Sequence, residues 1–426
     1  MSVQRIFDQY MRCKSVSTDS RNIVPQSIFF ALKGANFNGN QFALQALESG
    51  ASMAVVDEDV ASNHPDVVRV ANVQEALQQL ARDYRRTFSI PFLGITGSNG
   101  KTTTKELVRD VLARKYKVHA TKGNLNNHLG VPLTLLAMPA DTQMAIIEMG
   151  ANHQREIHGL CQIAEPDFGL ITNIGKAHLE GFGGPEGVKK GKKELFDWVH
   201  AHGGKVLVNT DLPVLDEISA GMDRITFGFQ CSAFHIELVS AMPELLFDVT
   251  RNGQSQRVKT ALAGAYNLYN IASAMMCGIH FGVEWPAVLD AIASYIPDNN
   301  RSQLKRTANN LLILDAYNAN PTSMVEALQN LARQEGNTFF VMGEMREMGQ
   351  HEAEEHRSIL HLAQQLGLKG ITVGEAFHRL SKEFDFPSFV TTVSARDYLV
   401  RNPLQGYTVL VKGSRGIRLE ELVDTL

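Results

Sequence analysis

The sequence predicts an α/β protein of three domains. Residues 92–105, FLGITGSNGKTTTK, pass from an apolar run suited to a buried parallel strand, through a loop of Gly and small polar residues, into residues that open a helix. Short apolar runs alternate with helical patterns along the rest of the chain, and polar motifs recur where those runs end. A chain of 426 residues also exceeds one ordinary core. The expected division is a small α/β unit over 1–88, a central unit over 89–297 and a C-terminal Rossmann-like unit over 298–426.

In the N-terminal unit, strands are expected over 27–32, 53–56 and 67–70, with helices over 41–48 and 73–85. Its polar features are the turn Asp19-Ser20-Arg21 and the loop 33–40, which starts at Lys33. An Asp-Ser-Arg turn is ordinarily a cap, but with that loop it has the chemistry to hold a nucleotide sugar. The end of the helical pattern and Pro91 place a boundary near 86–91.

The loop Gly97-Ser98-Asn99-Gly100-Lys101-Thr102-Thr103 organises the central unit. Glycines let backbone N–H groups turn inward and the helix N-terminus adds favourable partial charge. Lys101, on an exposed loop, supplies a cation, and Thr102 a hydroxyl for Mg²⁺. The spacing departs from the strict phosphate-loop motif, because Ile95 stands where its first glycine falls. With a strand before it and a helix behind it, the stretch reads as a nucleoside triphosphate site. The unit is therefore expected to be a P-loop ATPase domain with a mostly parallel sheet.

Other polar residues collect at strand ends in the same unit. Glu148 follows the apolar run 144–147, where a carboxylate is placed either for a metal or to cap the next helix. His178 falls just past the run 168–172, beside glycines, and Asn124, Asn126 and Asn127 precede a Leu-Gly-Val-Pro turn. Lys189, Lys190, Lys192 and Lys193 crowd one helix, ordinarily the sign of a solvated face. Residues 234–239, 244–250 and 256–261 alternate and are expected as antiparallel strands at the sheet edge. Asn267 and Asn270, three apart on an Ala- and Met-rich helix, share nearly one face.

A polar linker over 298–303, containing Arg301, leads into the last unit. Strands are expected there over 311–314, 338–341, 370–373, 389–392 and 408–411, each followed by a helical segment. Three motifs mark strand ends: DAYNANP with Asp315, Asn318 and Asn320, GEMREMG over 343–349, and KGSRG with Lys412, Ser414 and Arg415.

Composition narrows the classes. Apolar content of 44% and charged content of 20% are those of a globular protein, and a net charge of -4 argues against a general nucleic-acid binder. Four scattered cysteines without a CxxC pair argue against a zinc knuckle or disulfide framework and fit a reducing cytoplasm. The first residues, MSVQRIFDQYMRCK, lack the apolar core of a signal peptide, and no apolar stretch is long enough to span a membrane.

TGSNGKTT, the Glu148 strand end, ITNIGKAHLEGFG, the lysine-bearing helix and the Asn-rich helix start resemble the Mur ligases along the whole chain. GNLNNHLGVP, DAYNANPTSM, GEMREMG and KGSRG are similar to the branch that joins D-alanyl-D-alanine to UDP-N-acetylmuramoyl tripeptide. The chain departs from the family at Tyr266, often His, and at Asn38-Gly39-Asn40, often Asp-Gly-His. A related ligase adding the third peptide residue, or a folylpolyglutamate synthase, should lack DAYNANP. A nucleotide-dependent regulatory protein without turnover should lose Lys101, Glu148 or His178. Whether the third peptide residue is lysine or diaminopimelate stays open.

The resemblance implies a monomer that uses ATP and two Mg²⁺ ions. Lys101 is then expected along the β- and γ-phosphates, with Thr102 and Glu148 on the first ion. Glu148, His178 and a carbamylated lysine matching Lys192 are expected at the second. Asn267, Asn270, Arg301 and Asp315 would serve the nucleotide. Ser20, Arg21, Lys33, Asn124, Asn126 and Asn127 would serve the UDP-substrate. Asn318 or Asn320 would reach the reaction centre, and Lys412, Ser414 and Arg415 the substrate carboxylates.

Overall fold

The protein, described by a computed structural model over residues 2–60, 64–297 and 301–426, is built around three main sheets. Four short parallel strands, Val16–Ser17, Ile28–Phe30, Met53–Val56 and Val67–Arg69, form the N-terminal sheet. The helix Val73–Arg85 starts from Asn72, whose side chain accepts the Glu75 N–H. It packs its Val73, Leu77, Leu80 and Tyr84 face into the apolar core shared with the central domain. Arg85 fastens its end by donating to the carbonyls of Ala164 at 2.9 Å and Glu165 at 2.7 Å.

All six strands of the central sheet are parallel, in the order Arg224–Phe227, Lys205–Asn209, Phe168–Ile171, Phe92–Thr96, Met144–Glu148 and Val118–Ala120. Phe92–Thr96 runs through the middle, fully buried. Leu93 and Ile95 face one apolar layer with Leu107 and Val108 of the helix Lys101–Leu112, and Phe92 faces the other. Each such side chain contributes about 1.5–3 kcal/mol on burial. The register pairs Ile95 with Glu148 and Thr96 with Ile171, so three strands end at one edge. That edge carries the phosphate-loop sequence, Glu148 and the segment leading to His178.

The antiparallel strands expected at the edge of this sheet form a sheet of their own, His235–Ser240, Leu246–Arg251 and Gln254–Lys259. Their inner residues Ile236, Phe247, Val249 and Val258 join the core beneath the central sheet. Alternation identifies a half-buried strand but not the sheet it joins, which explains the misplacement.

The C-terminal sheet runs in the order Gln303–Arg306, Leu311–Asp315, Tyr407–Lys412, Asn337–Gly343, Gly370–Val373 and Ser388–Phe389. Five strands are parallel, as in a Rossmann-like fold. The first pairs antiparallel on the outer edge; it begins at Gln303, the last residue of the expected linker, and no strand was expected over 303–306. Of that expected linker, Asp298, Asn299 and Asn300 lie outside the described residues.

Candidate active site

The phosphate-loop sequence forms a closed turn. Gly100 has φ 77°, and a Cβ there would sit 2.5 Å from Asn270 Oδ1. A Cβ at Gly97, φ 144°, would sit 1.9 Å from Thr172 Oγ1. Only glycine suits either position. Ser98 Oγ donates to the Gly175 carbonyl at 3.0 Å, and the Asn99 N–H donates to Asn173 Oδ1 at 3.0 Å. The loop is thereby tied to the segment after the neighbouring strand.

Lys101 is the first residue of the helix Lys101–Leu112 and is half-buried, not on an exposed loop. Its ammonium donates to the carbonyls of Gly97 at 2.7 Å and Ser98 at 3.1 Å. Burial lowers its pKa to about 8, against the Glu148 carboxylate, which favours the charge, and with a contribution from Arg301. Thr103, two residues on, lines the same cleft.

Glu148, 1% exposed, closes its strand and accepts from Thr102 Oγ1 at 3.0 Å. Asn126 Nδ2 donates to the same carboxylate at 2.8 Å, so this asparagine holds Glu148 as well as lining the cleft. Lys105, equally buried, places its ammonium 3.6 Å from Glu148 Oε2. The sequence reading missed Lys105. Its signal was the spacing of four from Lys101, which puts both lysines on one face of the helix. Thr102 and Glu148 offer oxygen donors, the set a hard dication takes. Among the described residues, no three His, Cys, Asp or Glu side chains gather into a metal cage. His178, with φ 52°, turns its Nδ1 to the Glu347 carboxylate of the GEMREMG loop.

The four lysines of the helix Pro185–Ala201 separate sharply. Lys190 is exposed, Lys189 pairs with Glu217 at 2.7 Å, and Lys193 pairs with Asp197. Lys192 is 1% exposed, 3.4 Å from the Ala151 carbonyl and 5.2 Å above the Phe182 ring. Burial pushes its pKa well down, and the charge of Lys101 adds to the effect. A neutral amine in that setting has the reactivity carbamylation needs.

Asn267 and Asn270 do share a face, bonded to each other at 2.8 Å, with Asn270 Oδ1 accepting from Thr104 Oγ1 at 3.0 Å. Arg301 stacks on Tyr317 at 3.7 Å, and its buried Nε has no acceptor among the described residues. A guanidinium left so is suited to an incoming phosphate.

Across the cleft, Asn320 caps the helix Pro321–Ala332 and also donates to Asn99 Oδ1 at 2.7 Å. Asn318 lines the cleft, its Oδ1 accepting from the Ala319 N–H. Lys412 is spent on Asp315, with which it forms a buried ion pair. Ser414 accepts the Arg346 N–H at 3.0 Å, and Arg415 lies 5.5 Å from the Tyr317 ring. Neither Ser414 nor Arg415 is among the cleft-lining residues.

On the N-terminal domain, Arg21 is held by Asp19, and Lys33 lies 2.9 Å from both Asp57 and Glu58. Ser20, Arg21 and Lys33 stand outside the cleft, whereas Asn124, Asn126 and Asn127 line it. The cleft encloses about 890 Å³ and runs from the helix Val73–Arg85, past the phosphate loop, to Asp315 and Tyr317.

Three family models match in series: the Mur ligase family catalytic domain over residues 12–85, the Mur ligase middle domain over 95–278 and the Mur ligase glutamate ligase domain over 300–415. The chain is 32% identical to the UDP-N-acetylmuramoyl-tripeptide--D-alanyl-D-alanine ligase of Bacillus subtilis, over 96% of this chain and 92% of that one. The chain belongs to the Mur ligase family. The ligase of the same description from Escherichia coli is 31% identical over 97% of this chain and 93% of its own length. A crystal structure of MurF from Acinetobacter baumannii superposes with a TM-score of 0.90 at 30% identity, covering 99% of this chain and 97% of that one. MurF from Thermotoga maritima in complex with ADP gives 0.87 at 26% identity, covering 97% of each. Among the described residues, no helix is long and apolar enough to cross a membrane.

Proposed function

We propose that this chain is the ATP-dependent ligase that joins D-alanyl-D-alanine to UDP-N-acetylmuramoyl tripeptide, a cytoplasmic step of peptidoglycan synthesis carried out by a monomer. The observation that carries this reading is the meeting of the phosphate loop with the DAYNANP loop across the cleft, through Asn99 and Asn320. The full-length likeness to ligases of that description supports it.

A carboxylate is a poor electrophile because its leaving group is oxide. The tripeptide's terminal carboxylate takes the γ-phosphoryl of ATP and becomes an acyl phosphate. The amine of D-alanyl-D-alanine then attacks the carbonyl carbon, an amide forms and phosphate leaves. The protein supplies position and charge neutralisation.

Lys101 lies along the triphosphate, exchanging its carbonyl partners for phosphate oxygens, while the first-turn N–H groups of its helix, 101–103, serve the same anion. Thr102 and Glu148 would hold Mg²⁺, with Asn126 and Lys105 fixing the carboxylate. His178 and a carbamylated Lys192 would serve a second Mg²⁺. Magnesium neutralises the charge that builds on the transferring phosphoryl group. Arg301 serves the phosphates, Asp315 the ribose, and Asn267 and Asn270 the base end. Asn318 or Asn320 reaches the reaction centre. The N-terminal domain holds the UDP end, through Ser20, Arg21 and the loop 33–40, with Asn124, Asn126 and Asn127 on the diphosphate and sugar. Ser414, Arg415 and Lys412 are assigned to substrate carboxylates, Lys412 by leaving Asp315 when the nucleotide takes that carboxylate.

Omission tests this directly. Phosphate release from ATP should require UDP-N-acetylmuramoyl tripeptide, and net product should require D-alanyl-D-alanine as well. Steady hydrolysis indifferent to both would overturn the reading.

A further inference from the structure

Four lysine and arginine side chains line the cleft among the described residues. Lys101 belongs to the phosphate loop, and Arg301 and Lys412 reach in from the C-terminal side. The fourth, Arg82, is the cation on the N-terminal side, and neither the sequence motifs nor the mechanism above uses it. It stands on the helix Val73–Arg85 with Glu75, Gln78 and Gln79, which line the cleft with it.

Arg82 is poorly matched within the protein. One of its terminal nitrogens donates to Gln79 Oε1, its Nε is buried without an acceptor, and among the described residues no carboxylate pairs with it. Its neighbours on the helix differ: Arg85 and Arg86 are both paired, with Asp167 and Glu165. A half-buried guanidinium facing a ligand cleft with unmet donors is matched by an oxyanion, which takes two of its N–H groups at once. The support is rigid, since Arg85 and Tyr84, whose hydroxyl donates to the Met138 carbonyl at 2.8 Å, lock this helix to the central domain.

We propose that Arg82 binds an oxyanion of the nucleotide-linked substrate, its diphosphate. The proposal rests on the ligase reading, which puts the UDP end on this side of the cleft. The other N-terminal cations, Arg21 and Lys33, assigned to the outer part of the UDP end, pair with Asp19, Asp57 and Glu58 and stand outside the cleft, which leaves the diphosphate within it to Arg82. A free carboxylate of the peptide has the same chemistry, and the experiment separates the two sources.

The experiment is calorimetric titration of the full chain with UDP, with UDP-N-acetylmuramoyl tripeptide and with a non-hydrolysable ATP analogue, for the parent protein, Arg82→Gln and Arg82→Lys. Loss of a charge-assisted contact predicts weakening of about 10- to 100-fold in Arg82→Gln, with part of the affinity kept by Arg82→Lys. Equal weakening toward UDP and the full substrate supports the diphosphate. Weakening toward the full substrate alone overturns the diphosphate in favour of a peptide carboxylate. Unchanged affinity for both, with ATP-analogue binding intact, overturns the oxyanion site altogether. A parent protein that binds the ATP analogue but neither UDP ligand would instead contradict the ligase reading.

Discussion

Asn320 donates its side-chain amide to Asn99 Oδ1 at 2.7 Å, joining the C-terminal domain to the phosphate loop. Asn320 Oδ1 also accepts the Ser323 N–H at 3.0 Å as the cap of its own helix. The two functions separate by mutation. Asn320→Ala should lower turnover and also stability, by about 1 kcal/mol for the cap. Asn99→Ala should lower turnover alone, by up to about tenfold for one hydrogen bond. Melting curves and phosphate release on the two variants check this, and an equal loss of stability in both would refute the division.

Lys101→Met should reduce ligation by about 100- to 1,000-fold or more, the scale of losing a preorganised charge from a transferring group. The melting temperature should not fall, because burial already disfavours the charge of this lysine. A variant with near-normal turnover would remove the phosphate-loop assignment.

Glu326 lines the cleft near Lys412 and Asp315, and burial raises its pKa from 4.5 to about 7, with Asp315 adding and Lys412 opposing. Its folded pKa lies above the unfolded one, so the native protein holds a proton that the unfolded chain releases between those values. Its contribution to stability is therefore present below about pH 4.5 and lost as pH rises through about 7. Glu326→Gln should stabilise the protein at pH 8 and give little change at pH 5. Melting temperatures shifted equally at both pH values would contradict the assignment.

Lys192→Ala should be nearly inactive, and short-chain carboxylic acids should restore part of the activity by occupying the place of the carbamate. Lys193→Ala, which removes only a surface pair with Asp197, should need no rescue. Full activity of unrescued Lys192→Ala, or equal rescue of both variants, would show that the modified lysine is another one.

The sequence made the phosphate loop legible because its chemistry is local: strand, glycines, Lys101 and Thr102 stand within a few residues. Glu148 and His178 were legible by a rule of sheets, since parallel strands deliver their ends to one edge. Lys105 and Arg82 were not, because each is an ordinary helical cation until tertiary packing decides what it faces. The same limit misplaced the antiparallel sheet and hid the strand Gln303–Arg306, whose partner lies across a turn. Lys192 differs from Lys193 only through burial, which a cluster of lysines conceals.

The measurement that tests the ligation chemistry most directly follows an oxygen label. UDP-N-acetylmuramoyl tripeptide with heavy oxygen in its terminal carboxylate is turned over with ATP and D-alanyl-D-alanine, and the released phosphate is examined by mass spectrometry. An acyl phosphate predicts one labelled oxygen in each phosphate released, since the carboxylate oxygen leaves with it when the amine attacks. Unlabelled phosphate accompanying ligated product would contradict the account.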